Sequence, residues 1–122
     1  MTRRDEDEAR EERISMEIIV DAYGPEEQAM GWYYYLSDTL QFPFSAQCVT
    51  LRSTSPLELG EKVEVVEMGP AEECEHDMLV SIRWKSRSLA VPLIQLEGMQ
   101  VDGQTQQAIE DWHYWVERGY EL

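Results

Sequence analysis

The spacing of the hydrophobic residues changes once along this chain, near the segment Phe42-Pro43-Phe44. Before this segment, apolar residues recur at intervals of three and four, which is typical of a helix face. After it, they alternate with polar residues or form short β-branched runs, which is typical of strands. Because no βαβ alternation is present, the pattern argues against a parallel sheet and predicts an α+β domain.

Three core helices follow from the helical spacing, preceded by a charged leader. Residues 2–13 carry a charge at almost every position, so we expect a helical but exposed leader or a frayed end, whose acidic and basic side chains pair locally. The first core helix is predicted over residues 14–23, where Gly24-Pro25 ends it, and the second over residues 25–40. A closing helix is predicted over residues 104–119. We expect the aromatic residues of the second and closing helices to form the core.

The middle of the chain predicts about five short antiparallel strands. Alternation is clear in the segment KVEVVEM, where Val63 and Val65 share one face and Glu64 lies on the other. We therefore expect N-terminal helices packed on a small antiparallel SH3-like β-barrel, with a C-terminal helix. The clearest strands are predicted over residues 46–53, 61–68, 78–85 and 88–93.

The length of the chain, 122 residues, gives room for one domain. We predict a single domain over residues 1–122. Its predicted parts are a helical lobe over residues 1–42, a barrel lobe over residues 45–98 and the closing helix.

The acidic charge of the chain restricts its partners. The 25 Asp and Glu residues exceed the 10 Lys and Arg residues, which gives a formal net charge of -15. Nucleic acid and anionic membrane surfaces would be repelled, so we expect neither as a partner. No apolar run approaches the roughly 18 to 20 residues that cross a bilayer. Metal cations, basic proteins or water alone remain as partners of this surface.

Residues typical of catalysis and of zinc binding are scarce, and we do not expect an enzyme. His76 and His113 fall in different predicted elements, and no HExxH, GxSxG, GxxxxGK[ST] or GxGxxG motif is present. Cys48 and Cys74 do not form a CxxC pair, so a cysteine-rich zinc site is absent, although Cys74 and His76 leave a weak two-ligand alternative. Without a signal peptide, the chain is expected to be cytoplasmic with free thiols.

Calcium takes six to eight oxygen ligands from carboxylates, carbonyls and water, and two regions of the chain offer such oxygens. Asp38 lies near the end of the aromatic helix, where a carboxylate opposes the helix dipole and a cation would relieve the repulsion. The backbone carbonyl of Leu40 could supply a further ligand there. The other region is an acidic loop between two predicted strands, for which a purely solvated loop is the alternative. Its acidic residues are Glu72, Glu73, Glu75 and Asp77.

Three blocks of the sequence have an unusual aromatic composition. They are EIIVDAY (17–23), EEQAMGWYYYLSDTLQFPFSAQC (26–48) and AIEDWHYWVERGYEL (108–122). These blocks resemble the cyanobacterial calcium-binding protein family known as CcbP. The resemblance implies a cytosolic calcium binder without EF-hands, linked in filamentous cyanobacteria to control of heterocyst differentiation. It also implies that a carboxylate in WYYYLSDTL is a principal ligand, which here is Asp38.

These observations lead to one expected function and one rival. We expect a monomeric calcium buffer or sensor in which two acidic surfaces face one another across a groove and are drawn together by Ca²⁺. The rival is an acidic protein-interaction module, a nucleic-acid mimic or docking domain, that attracts cations only diffusely. A hydrolase that uses Glu75 and Asp77 finds no support, because no substrate pocket can be identified from the sequence.

Overall fold

The fold is known from a computed structural model that describes residues 3–120, and their side chains from Glu8 onward. Three α-helices and five strands make up an α+β fold, as the sequence predicted. The helices are α1 (Arg3–Arg13), α2 (Pro25–Thr39) and α3 (Gly103–Glu117), and a π-helical turn, Ile14–Ile18, directly continues α1. The strands are β1 (Phe44–Cys48), β2 (Lys62–Met68), β3 (Leu79–Trp84), β4 (Arg87–Pro92) and β5 (Leu96–Met99).

The strands form one antiparallel sheet in the order β4-β3-β2-β1-β5. In β2, Val63 and Val65 are buried and Glu64 is exposed, so the predicted alternation is confirmed. Pro92 ends the edge strand β4, where a missing backbone donor disturbs no ladder. The outer strands β4 and β5 do not pair with one another in the described residues, so closure into an SH3-like barrel is not confirmed.

The helix that α1 and the π-helical turn form together ends at Ile18, five residues before Tyr23, where the first core helix was predicted to end. Its last turn widens to π geometry, in which the Ile19 N–H donates to the Ile14 carbonyl at 3.0 Å. α2 then crosses the end of this turn so closely that a Cβ on Gly31 would lie 2.4 Å from the Ile18 carbonyl oxygen. The chain must therefore leave the helix at this point, and Asp21 turns it with a positive φ of 59°.

The charged leader does not pair only with itself, so that prediction was wrong. Arg13 donates to the Asp111 carboxylate from Nε at 3.0 Å, and Arg10 Nε lies 2.9 Å from the same carboxylate. Asp111 is completely buried on α3, which makes this long-range pairing part of the interior. Thr2 and the side chains of Asp5, Glu6 and Asp7, which belong to the same predicted leader, lie outside the described residues.

The core lies where α2 and α3 pack together, and aromatic side chains fill it as predicted. Trp32 of α2 meets Trp112 of α3 edge to face at 5.0 Å between ring centroids. Trp115 stacks on Trp112 at 5.6 Å, and all three rings are buried. Cys48 and Cys74 are free buried thiols. Within residues 3–120, no helix is both long enough and apolar enough to cross a membrane.

Candidate metal centre

The C-terminal turn of α2 is the first region with oxygen ligands for a cation. Asp38 is exposed in this turn, which contains no basic residue. The turn ends when the Leu40 N–H donates to the Leu36 carbonyl at 2.9 Å. A carboxylate at a helix C-terminus adds to the partial negative charge of the last carbonyl groups. This end of α2 is therefore electronegative without a local cation to balance it.

The Leu40 carbonyl oxygen has no donor among the described residues. The Gln41 N–H of the same peptide donates to Thr105 Oγ1 at 3.0 Å. Because N–H and C=O point in opposite directions across a trans peptide, the Leu40 carbonyl points away from Thr105. The preceding carbonyl, that of Thr39, cannot accept a helical hydrogen bond from residue 43, because Pro43 has no N–H.

The acidic loop between β2 and β3 is the second region. It begins with a 3-10 turn, Ala71–Glu73, and contains one buried thiol, that of Cys74. Burial raises the pKa of Cys74, and the negative charges of three carboxylates raise it further. These carboxylates belong to Asp77, Glu73 and Glu72. The Leu79 N–H donates to the sulfur of Cys74 at 3.4 Å, so the thiol helps to hold the loop against the start of β3.

Asp77 differs from the other acids of this loop because it is half-buried, whereas Glu72, Glu73 and Glu75 are exposed. Burial raises the pKa of the Asp77 carboxyl, and the nearby guanidinium of Arg52 opposes this effect. Asp77 and Arg52 together line a cavity of about 320 Å³ against α3. A divalent cation at Asp77 would therefore compete with an existing cationic side chain.

Tyr33, in the middle of α2, joins this helix to the start of the acidic loop. Its hydroxyl donates to the Gly69 carbonyl at 2.8 Å, which fixes α2 against the start of the loop. The pKa of Tyr33 is raised by burial and then by negative groups that include Glu72 and Glu67. The loop thus approaches the same helix that carries Asp38.

Sequence reasoning did not include Glu67 in this acidic region. Strict alternation from Val63 and Val65 would place Glu67 on the buried face of β2. A register shift between Val65 and Glu67 instead turns Glu67 to the exposed face. A bulge of this kind leaves no clear signal in the sequence.

The predicted ligands are only partly brought together. The charges of Glu72, Glu73 and Asp77 all act on Cys74, whereas Asp38 and Leu40 lie at the end of α2. Among the described residues, no three Asp, Glu, His or Cys side chains are arranged as a ready metal site. The exposed carboxylates fit the chemistry of Ca²⁺, which accepts water and backbone oxygens in flexible geometry. Leu40 is only 3% exposed, so its carbonyl would have to be uncovered for an ion to reach it. The ligand assignments stay predictions.

Comparison with known proteins identifies the relatives of this chain. The crystal structure of Anabaena CcbP matches with 45% identity and a TM-score of 0.84, covering 94% of each chain. A structure described as a calcium binding protein in the calcium-binding form matches with 44% identity and a TM-score of 0.86, covering 100% of each chain. No curated protein matches the chain. The sequence profile of the CcbP family, described as calcium binding, matches residues 12–116. The chain therefore belongs to the CcbP family of calcium-binding proteins.

Proposed function

We propose that this protein is a cytosolic calcium buffer or sensor that binds Ca²⁺ without EF-hands. A relative of 44% identity over the full chain is described in a calcium-binding form, which supports Ca²⁺ as the ligand. The similarity to Anabaena CcbP extends the proposal to regulation of heterocyst differentiation, the role implied by the family resemblance. The protein acts as a binder rather than as an enzyme.

The observation that carries the proposal is the uncompensated negative charge at the end of α2. Asp38 is exposed there, no basic side chain lies in the last turn, and the Leu40 carbonyl has no donor among the described residues. A Ca²⁺ ion at this end would bind the Asp38 carboxylate and the Leu40 carbonyl, and water would complete its coordination. Binding relieves repulsion that exists in the empty protein, because the carboxylate and the helix dipole have the same sign.

The acidic loop provides the ligands of a second ion in this proposal. Glu72, Glu73, Glu75 and Asp77 are concentrated within six positions, and three of them already raise the pKa of one thiol. In the part of the chain that the structure describes, no Lys or Arg forms an ion pair with Glu72, Glu73 or Glu75. These carboxylates are therefore available to a cation.

Binding would also make the protein more compact. Two Ca²⁺ ions would change the formal charge from -15 to about -11. Since Tyr33 already joins α2 to the loop through Gly69, small shifts of the loop would bring its acids towards α2. Ions that bind this closed arrangement best would select it. A site assembled from separate elements should bind with a dissociation constant of about 1 to 100 µM.

The test is a calorimetric titration of Ca²⁺ at physiological ionic strength with Mg²⁺ in excess. We expect a saturable isotherm that Asp38→Asn weakens about tenfold or more, because the substitution removes the ligand charge. Magnesium should not prevent binding, since it demands octahedral geometry and loses its water reluctantly. Bound Ca²⁺ should also stabilise the fold by about 2.7 kcal/mol at a hundred times its dissociation constant.

Asp21→Asn is the matched control, because Asp21 is an exposed aspartate in the turn before α2. Asn also tolerates its positive φ. It changes the net charge as Asp38→Asn does and should leave the isotherm nearly unchanged. An equal loss in both variants, or heat that disappears with added salt, would show diffuse counterion attraction. The acidic interaction module would then be the better explanation.

A further inference from the structure

A groove with exposed apolar walls lies beside α2, from its N-terminal turn to Tyr34, one helical turn before Asp38. It is formed by the turn that follows the π-helical segment and by residues of α2 from Glu26 to Tyr34. Its volume is about 460 Å³, and Val20, Met30 and Tyr34 contribute apolar lining. Gly31 forms part of the groove where α2 contacts the Ile18 carbonyl, so backbone packing fixes its position.

Several apolar side chains in this region are exposed to solvent. Val20 is 49% exposed and Tyr34 is 60% exposed, and both line the groove. Met16 and Tyr23, in the adjoining turn and loop, are also exposed. These four account for half of the large exposed apolar residues in the described chain. Val20 and Tyr34 line one groove, and exposed apolar residues that share a surface are typical of a contact site, whereas scattered single residues are not.

The rim of the groove is acidic and has no basic residue of its own. Asp21, Glu26 and Glu27 line it together with the apolar residues. The whole segment of residues 14–51 contains five acidic residues and no Lys, Arg or His. The Glu27 carboxylate accepts the Tyr23 N–H at 2.9 Å, which holds the loop at the rim. The groove therefore combines apolar walls with negative charge that no local side chain balances.

We infer that this groove is a docking site for a basic amphipathic helix of another protein. Apolar side chains of such a helix at positions i, i+3 or i+4 would enter between Val20 and Tyr34, and its Lys or Arg residues would meet the acidic rim. Met30 suits this use because a thioether side chain adapts to different apolar partners. A second copy of this chain is a poor occupant, since each copy carries a net charge of -15.

The experiment measures binding of a fluorescein-labelled leucine–lysine peptide by anisotropy at about 0.15 M salt. The peptide has about 15 residues with leucine at helical spacing, and a scrambled peptide of the same composition is the first control. We expect the amphipathic peptide to bind at least about tenfold more tightly than the scrambled one, because only its leucines lie on one face. Any acidic protein would attract both peptides by charge alone.

The variant that tests the groove is Val20→Ser with Tyr34→Ser. Its matched control is Val49→Ser with Leu59→Ser, because Val49 and Leu59 are exposed by 39% and 62% outside the groove. We expect the groove variant to weaken the amphipathic peptide about tenfold and the control to leave it unchanged. Circular dichroism of both variants checks that they are folded.

A charge variant completes the test. Glu26→Gln should weaken binding about threefold and reduce its salt dependence, because one rim charge is removed. Equal binding of the two peptides, or equal losses in the groove variant and its control, would overturn the inference. So would a self-associated protein that Val20→Ser with Tyr34→Ser converts to monomers, because the occupant would then be a second copy. All of these measurements are made in the absence of Ca²⁺, so they do not depend on where Ca²⁺ binds.

Discussion

Asp111→Asn tests how the leader is held to the rest of the molecule. The Asp111 side chain has no exposed surface, and its carboxylate meets Arg10, Arg13 and the Tyr35 hydroxyl. Asn has nearly the same shape but no charge, and it places an NH₂ group where a carboxylate oxygen accepted from guanidinium groups. The variant therefore leaves two cationic side chains without their shared anion.

The size of the effect follows from the burial of the partners. Removing one partner of a fully buried ion pair costs about 3 to 5 kcal/mol. The side chains of Arg10 and Arg13 remain 26% and 21% exposed, so water partly solvates them in the variant. We therefore expect a loss of about 3 kcal/mol in the free energy of unfolding, at the lower end of this range.

Urea denaturation followed by tryptophan fluorescence measures this loss. With an m-value of about 1.5 kcal/mol/M, the midpoint should fall by about 2 M while the slope stays constant. Glu110→Gln is the matched control, because Glu110 is the adjacent residue and pairs with Arg10 at 3.7 Å from a half-exposed position. The control should lose about 0.5 kcal/mol or less. If both variants lost the same amount, the buried network would not hold the leader and our reasoning would be refuted.

Two further predictions concern packing and pH. Gly31→Ala should destabilise the fold by about 1 to 3 kcal/mol in thermal denaturation, because the new Cβ meets a backbone carbonyl that cannot rotate away. Gly103→Ala, which meets no atom within 4 Å, should have no such effect, and equal losses would contradict the close approach of α2. The pKa of Glu61 is lowered by hydrogen bonds from the Glu58 N–H and from the Trp84 indole. The ionised Glu61 carboxylate therefore stabilises the fold above the pKa that it has in the unfolded chain, and this stabilisation disappears as the pH falls through its pKa in the folded protein. Glu61→Gln should therefore lower the urea midpoint at neutral pH but not well below pH 4.5, and a difference that persists in acid would contradict this cause.

Local physical chemistry was enough to predict the main elements. The second helix was predicted over residues 25–40 and is observed as Pro25–Thr39, since Pro25 sets the first turn and the apolar residues follow helical spacing. The closing helix was predicted over residues 104–119 and is observed as Gly103–Glu117. Asp102 caps it by accepting the Gln104 and Thr105 N–H groups.

Only one part of the candidate metal centre could be predicted from the sequence. The electronegative end of α2 could be predicted from the sequence, because Asp38 and the last carbonyls belong to one helical turn. The position of the acidic loop could not. Its approach to α2 depends on Tyr33 and Gly69, which are 36 residues apart, and the exposure of Glu67 depends on a β-bulge.

The sequence by itself determined the order of helices and strands, the acidic surface and the aromatic core, because these depend on spacing and composition. Only the tertiary structure decided where the first helix ends and what Asp111 binds. The helix stops at Ile18 because Gly31 of another helix contacts its last carbonyl. Asp111 pairs with Arg13, 98 residues earlier, because α1 and α3 meet only in the folded chain. Contacts between segments so distant in sequence leave no periodic pattern, since each partner alone resembles an ordinary surface charge.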